Sequence, residues 1–475
     1  MAQATFDAAA IWPRPWEGLP ASGGRIVVKQ GHISSVEDGA ASGDLLWFPG
    51  LINAHDHGRG LSPLAYGASD APLEPWLWDL RRAPGVDVYL SHVVAFGEMA
   101  LSGISTVIHN HLPQGKDLVA EAREVAQAAR DVGLRLGFVV PIIDRNLAGY
   151  DGGAAALAPL TGDERAAVET THAMPPVAEQ IALVREIAIA IDGSGTVTQY
   201  GPPGPQWLSR EGWAMVGAAA AEDGRRVHTH LLETLPQRHW LDTEEPGGAD
   251  AFLTAAGVLC DRLTIAHGVH LTAREMVALA DAGAVLALNT SSNMRLRSGQ
   301  VDGALMAQSG LTLGIGLDGL ALDDDADIWR ELRLAQTLLG PRGVDGGGLQ
   351  QRAILRAAFA TGARALDGKD APGLVHGAPA DMVALSLDRL AHDRVEDSAA
   401  TLAALALGRS TRHTVARVVS GGCEIVRDGE LTGLDLSAAR RELAAQARAA
   451  RAASPPGDWI ARARAATIRH YGGTS

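Results

Sequence analysis

Cysteine is nearly missing from this chain. Cys260 and Cys423 are the only two in 475 residues. Two thiols so far apart make no disulfide framework, which fits a reducing compartment. They also exclude a cysteine-rich zinc site. Lysine is scarcer than its usual share: Lys29, Lys116 and Lys369 are the whole supply, and arginine carries the positive charge. The formal charge of −14 gives a nucleic-acid partner no electrostatic support. No stretch approaches the roughly 20 apolar residues of a membrane span. The first residues, MAQATFDAAAIWPRPWEG, lack a basic segment followed by an apolar one, so no signal peptide is read. The expected setting is cytoplasmic, without membrane contact.

What is present is an ordinary apolar share of 47% in a chain too long for one simple core. Residues 1–49 hold short β-like runs at 25–28 and 33–36. From about 51 to 365 short apolar runs alternate with helical stretches. The strands are read at 105–108, 134–140, 196–200, 226–230, 263–266, 284–288 and 311–315, with one more before His55. The helices between them include 117–132, 175–191, 210–222, 273–282 and 328–339. Such alternation indicates parallel βα units, and eight strands suggest a closed (β/α)8 barrel. β character returns at 382–385 and 415–427. Residues 1–50 and 371–430 are therefore expected to pair as a small β-sandwich beside a barrel at 51–370. Residues 431–475 are expected to form a helical tail, broken at 455–457 by Pro-Pro-Gly.

The chemistry concentrates at strand ends, where barrels of this kind place their sites. His55-Asp56-His57 lies in WFPGLINAHDHGRG, and histidines two apart on a strand share a face. HTHLLE follows the fifth strand, with His230 as a third imidazole and Glu233 placed to turn back over it. His228 shares the His230 face and is given no ligand role. His267 ends the sixth strand and Asp318 the eighth. Alone, each histidine and Glu233 is about as well explained by packing or solvation, whereas Asp318, after an unbroken apolar strand, is not explained by packing. Together, three imidazoles and a carboxylate suit a borderline divalent ion, Zn2+ with Fe2+ as the alternative. Such an ion lowers the pKa of water from about 15.7 toward roughly 7. His267 and Asp318 can orient that water and take its proton. Glu233 can protonate a ring nitrogen and then a leaving amine.

With these residues in place, the chain resembles the metal-dependent amidohydrolase superfamily, in its chlorohydrolase/deaminase branch. The resemblance runs through PGLINAHDH, HLLE at 230–233, AHGVH at 266–270, NTSSNMRLRSG at 289–299, GLDG at 316–319, GAPADMVAL and VVSGGCEIVRDGEL. It implies that His55, His57, His230 and Asp318 hold one metal and that Glu233 and His267 handle protons. It also implies a homodimer. Binuclear members bridge their metals with a carboxylated lysine after the fourth strand; here that segment reads TVTQYGPPGPQ. A mononuclear site is expected. Glu233 is retained, which favours deamination over dechlorination.

The expected activity is hydrolytic deamination of a small nitrogen heterocycle: a purine, pterin, pyrimidine or triazine. The alternatives are a chlorohydrolase, C–S hydrolase or amide/carbamate hydrolase using the same site, and a non-catalytic barrel. Substrate contacts are read at Trp76 and Trp78 in the loop after strand one, at Arg145 and Gln199, and at Asn293 and Arg295. His109 and His111 after strand two are read either as substrate contacts or as ligands of a second metal. Asn289-Thr290-Ser291 departs from the proline-containing form of its motif.

Overall fold

The computed structural model describes residues 3–472 apart from 116, 147, 151, 172, 173 and 194, and leaves the side chains of 170 and 171 undescribed. Lys116 thus lies outside the described residues. Eight parallel strands run in sequence order: Leu51–Asp56, Ile104–Asn110, Arg135–Pro141, Thr196–Gly201, Val227–Leu231, Leu263–His267, Val285–Leu288 and Thr312–Ile315. They are called strands one to eight below. The outer edges of strands one and eight meet where Asp318 N donates to His55 O at 3.0 Å and Leu317 N to the Asn53 side chain at 3.0 Å. The barrel is nearly closed.

Alternation along each strand sorts the side chains. Ala54, Ile108, Val139, Val285 and Ala287 pack together inside, over Ala365 and Leu366 at the base. Val107, Leu136, Phe138 and Val140 face outward to the helices Val88–Leu101, Leu118–Val132 and Val177–Ile191. Leu118–Val132 is amphipathic and buries its apolar stripe on the barrel wall, whereas Val88–Leu101 is buried on most of its surface.

The chain enters the barrel from a second unit. Leu45–Pro49 belongs to a mixed sheet, and strand one begins at Leu51. Gly50 makes the switch while pressed against Ser105 and the Asp381 backbone, where a Cβ would collide. The mixed sheet joins both ends of the chain in the order Glu430–Leu431, Cys423–Arg427, Val415–Ser420, Met382–Ser386, Leu45–Pro49, Ala10–Ile11 and Ala21–Ser22. A three-stranded sheet of Ala4–Asp7, Arg25–Lys29 and His32–Glu37 shares a core with it. Trp47 and Phe6 meet edge-to-face across that core, with ring centroids 5.3 Å apart.

Two expectations change, and the helical tail is found as expected, broken near 455–457. Residues 73–78 are a helix, Leu73–Leu80, rather than a loop; it starts after Pro72, and Glu74 sits in its positive first turn. Between the late strands the Ala/Leu-rich stretch Ala399–Arg409 is also helical, capped by Ser398. The tail forms Leu436–Ala453 and Trp459–Tyr471, and the second of these docks on Leu73–Leu80. Trp78 Nε1 donates to Thr467 Oγ1 at 2.8 Å, and Arg464 pairs with Asp79 at 2.7 Å. No helix among the described residues is long and apolar enough to cross a membrane.

Candidate active site at the barrel mouth

Strand ends one, five, six and eight bring their polar residues to one point. One ligating atom from each of His55, His230, His267 and Asp318 lies within 4.8 Å of the others. His57 joins them: its Nε2 is 3.2 Å from Asp318 Oδ1 and 3.3 Å from His230 Nε2. His55 Nε2 is 3.1 Å from the same Asp318 oxygen. His55, His267, Glu233 and Asp318 are buried, while His57 and His230 are partly open. The backbone turns sharply here. Leu232, His267 and Asp318 all have φ between 50° and 72°, a left-handed region that non-glycine residues occupy at a cost of order 1 kcal/mol or more.

The hydrogen bonds behind the rings decide their tautomers. His57 Nδ1–H donates to Asn110 O at 3.0 Å, and His230 Nδ1–H donates to Pro203 O at 2.9 Å. A carbonyl only accepts, so whenever either ring is neutral its Nε2 carries a lone pair. These two lone pairs face each other at 3.3 Å. Without a cation between them that contact is repulsive. Nitrogens held at about 2.0–2.1 Å by a tetrahedral ion lie about 3.3 Å apart. The donor set therefore fits a divalent transition ion. Burial agrees, holding the His55 imidazole down to about 4 and His230 well below its usual value, so both are neutral at pH 7. Burial acts to raise Asp318, but hydrogen bonds to His55 and His57 outweigh it and keep the carboxylate ionised. Its second oxygen accepts from Ser292 Oγ.

Glu233 hangs over this cluster. Burial pushes its carboxyl up to about 7, with Asp318 and Glu74 adding and His267 opposing. Its Oε1 accepts from Ser298 at 3.3 Å, and Oε2 lies 3.7 Å from His267 Nε2. His267 Nδ1–H donates to Asn293 Oδ1 at 2.9 Å, which turns Nε2 toward Glu233.

The residues read as substrate contacts scatter. Asn293 is at the site, but through His267. Trp76 is buried with Leu296 and Leu320, under the Arg59 guanidinium at 5.3 Å, with its Nε1 unpartnered. Trp78 instead anchors the tail helix. Arg145 is exposed. Arg295 is held by Asp70 and Asp324. Gln199 lies inside the barrel with Nε2 on Ala365 O at 2.7 Å, toward the base. His109 and His111 sit against Phe96 and Phe138, outside the barrel wall. The reason is parity: Asn110 faces inward, so its neighbours on strand two do not.

Three further residues support the site: His228, expected on the His230 face without a ligand role, and Asn110 and Ser292, which sequence does not single out. His228 Nε2 lies 2.9 Å from His55 Nδ1, and the Asn110 amide lies 2.9 Å from the same nitrogen. The signal for His228 was its shared face with His230; nothing local marked Asn110 or Ser292.

Residues 46–448 match the amidohydrolase family. The chain belongs to that family. This amidohydrolase is 30% identical over 427 residues to a 5-methylthioadenosine/S-adenosylhomocysteine deaminase of Halobacterium salinarum, covering 89% of this chain and 90% of that protein. It is 30% identical over 462 residues to an 8-oxoguanine deaminase of Pseudomonas aeruginosa, covering 90% and 96%. Among solved structures, a triazine hydrolase from Arthrobacter superposes with a TM-score of 0.78 at 22% identity, over 94% of this amidohydrolase and 100% of that chain. A zinc-bound adenosine deaminase from Xanthomonas campestris gives 0.74 at 23%, over 94% and 98%. These two likenesses establish the fold. Membership of the family makes this chain a hydrolase.

Proposed function

We propose that this amidohydrolase removes an amino group from a nitrogen heterocycle by hydrolysis, with one catalytic divalent ion. His55, His57, His230 and Asp318 would hold the ion, Zn2+ by the donor set with Fe2+ as the alternative. The ion would supply Lewis acidity and a water acidic enough to attack at neutral pH.

The protein's own residues handle the protons. Glu233 takes the proton of the attacking water and returns it to the substrate nitrogen that must leave. A carboxyl poised at about 7 can do both near neutral pH. His267, oriented by Asn293, and Asp318, steadied by Ser292, hold the water against the reacting carbon.

The observation that carries this reading is Glu233. An amine leaves only after protonation, whereas chloride leaves without a proton. A buried carboxyl near 7 above the imidazole cluster can accept the water's proton in either reaction, and only an amine needs it to give that proton back to the leaving group. The deaminase names of the relatives support the same choice. The substrate class stays a purine, pterin, pyrimidine or triazine, recognised in a cytoplasmic homodimer. The reading divides the chain into a sandwich of 1–50 with 371–430, a barrel of 51–370 and a tail of 431–475. Turnover in oxygen-labelled water tests it. Mass spectrometry is expected to find the amine replaced by one solvent-derived oxygen. A product that keeps its amine and loses chloride or an acyl group would refute the deaminase reading.

A further inference from the structure

A second nitrogen cluster lies behind the barrel mouth. Asn110 points inward from strand two, while His109 and His111 turn to the outer side and meet His92 of the helix Val88–Leu101. All three histidines are buried, and one ligating nitrogen of each lies within 4.8 Å of the others. Their ring centroids are 4.9, 5.4 and 5.9 Å apart. Among His55, His57 and His230 the corresponding separations are 4.8, 5.2 and 5.3 Å. The closest nitrogens, His109 Nε2 and His111 Nδ1, are 3.2 Å apart, against 3.3 Å for His57 and His230. Both match two nitrogens on one tetrahedral ion.

The outer hydrogen bonds prepare lone pairs here too. His92 Nδ1–H donates to Val88 O at 2.7 Å, which leaves Nε2 unprotonated in the neutral ring. His111 Nε2–H donates to Glu121 Oε2 at 2.7 Å, which leaves Nδ1 facing His109. A carboxylate behind a ligating imidazole is the usual support of a metal-bound histidine. Glu121 is itself fixed by the backbone N–H of Gln114, at 3.0 Å, and of Gly115. His109 Nδ1 is buried without a partner, so hydrogen bonds within the trio do not satisfy it. Gly58 faces the cluster, and a Cβ there would fall 2.8 Å from the His109 ring and 3.1 Å from His92. Nothing in the hydrolytic chemistry uses these residues.

We propose that His92, His109 and His111 form a second metal site, for a borderline divalent transition ion such as Zn2+. All-imidazole donors disfavour Mg2+ and Ca2+. The ion's place suggests its purpose. Asn110, between two of the ligands, gives its carbonyl to His57 and its amide to His55. An ion at the outer site fixes the strand end that orients both mouth histidines.

The test uses the full chain, stripped of metal and titrated with Zn2+. About two equivalents are expected to bind, falling to about one in His109→Phe and, independently, in His92→Gln. Crystals of the zinc-loaded protein are expected to show an anomalous peak between the three rings, a readout that needs no variant to fold. Asp318→Asn is expected to keep that peak while losing the one at the mouth. An anomalous map empty between His92, His109 and His111 would overturn the proposal and leave a hydrogen-bonded trio only. So would zinc stoichiometry unchanged in both variants.

Discussion

Replacing Glu233 by glutamine is expected to disable the enzyme and stabilise the metal-free protein above pH 7. The two effects share one cause. Burial raises this carboxyl from 4.5 to about 7, so the folded protein prefers it protonated. Below pH 4.5 both folded and unfolded chains carry the proton, and the neutral carboxyl costs nothing extra. As pH rises through 4.5 the unfolded chain ionises first, and stability drains away until the folded pKa is passed. A shift of that size corresponds to about 3 kcal/mol. Glutamine has nearly the same shape and never ionises, so it is spared the loss. The catalytic effect runs the other way. Loss of a positioned proton carrier costs about 10²–10⁴ in rate, or about 3–5 kcal/mol in the barrier. Ammonia release by the zinc-loaded variant measures the first effect. Urea unfolding of the metal-free wild type and variant at pH 5 and pH 8.5 measures the second. A variant that keeps wild-type turnover would refute the proton-carrier role. A variant no more stable than wild type at pH 8.5 would refute the burial argument.

Other expectations follow from particular contacts. Asp318→Asn removes the one anionic oxygen shared by His55 and His57; metal at the mouth and activity should vanish together, read by elemental analysis and turnover. His228→Ala leaves His55 Nδ1 with only the Asn110 amide, and zinc affinity at the mouth should fall about 10- to 100-fold in chelator competition. Trp78→Ala should destabilise the protein by about 3–5 kcal/mol and expose the tail helix to limited proteolysis, because it removes a buried ring and the Thr467 bond. Glu331 is buried with its carboxyl pushed up to about 7, anchoring Ser291; Glu331→Gln should flatten the loss of stability between pH 4.5 and pH 7 in denaturant titrations.

The barrel was legible because each strand is a short apolar run followed by a turn, and these runs alternate with helical stretches. The convergence of His55, His57, His230, His267 and Asp318 was legible for the same reason: each interrupts or follows an apolar strand where a polar group has no packing role. What sequence could not decide was which parity of strand two faces inward. Asn110 and His109 are neighbours, and only the packing of Phe96 and Phe138 sends the histidine outward. Long-range partners were equally hidden. Asp70 claims Arg295 from 225 residues away, and Thr467 claims Trp78 from 389. Gln199 carries no local sign that a carbonyl at the base would hold it.

The most direct test of the central claim is ammonia release by the metal-replete protein across aminated purines, pterins, pyrimidines and triazines, with Glu233→Gln measured alongside. The account predicts ammonia from one ring class, in step with a hydroxylated product, and its near-disappearance in the variant while the mouth keeps its metal. No ammonia from any ring, or equal ammonia from the variant, would contradict it.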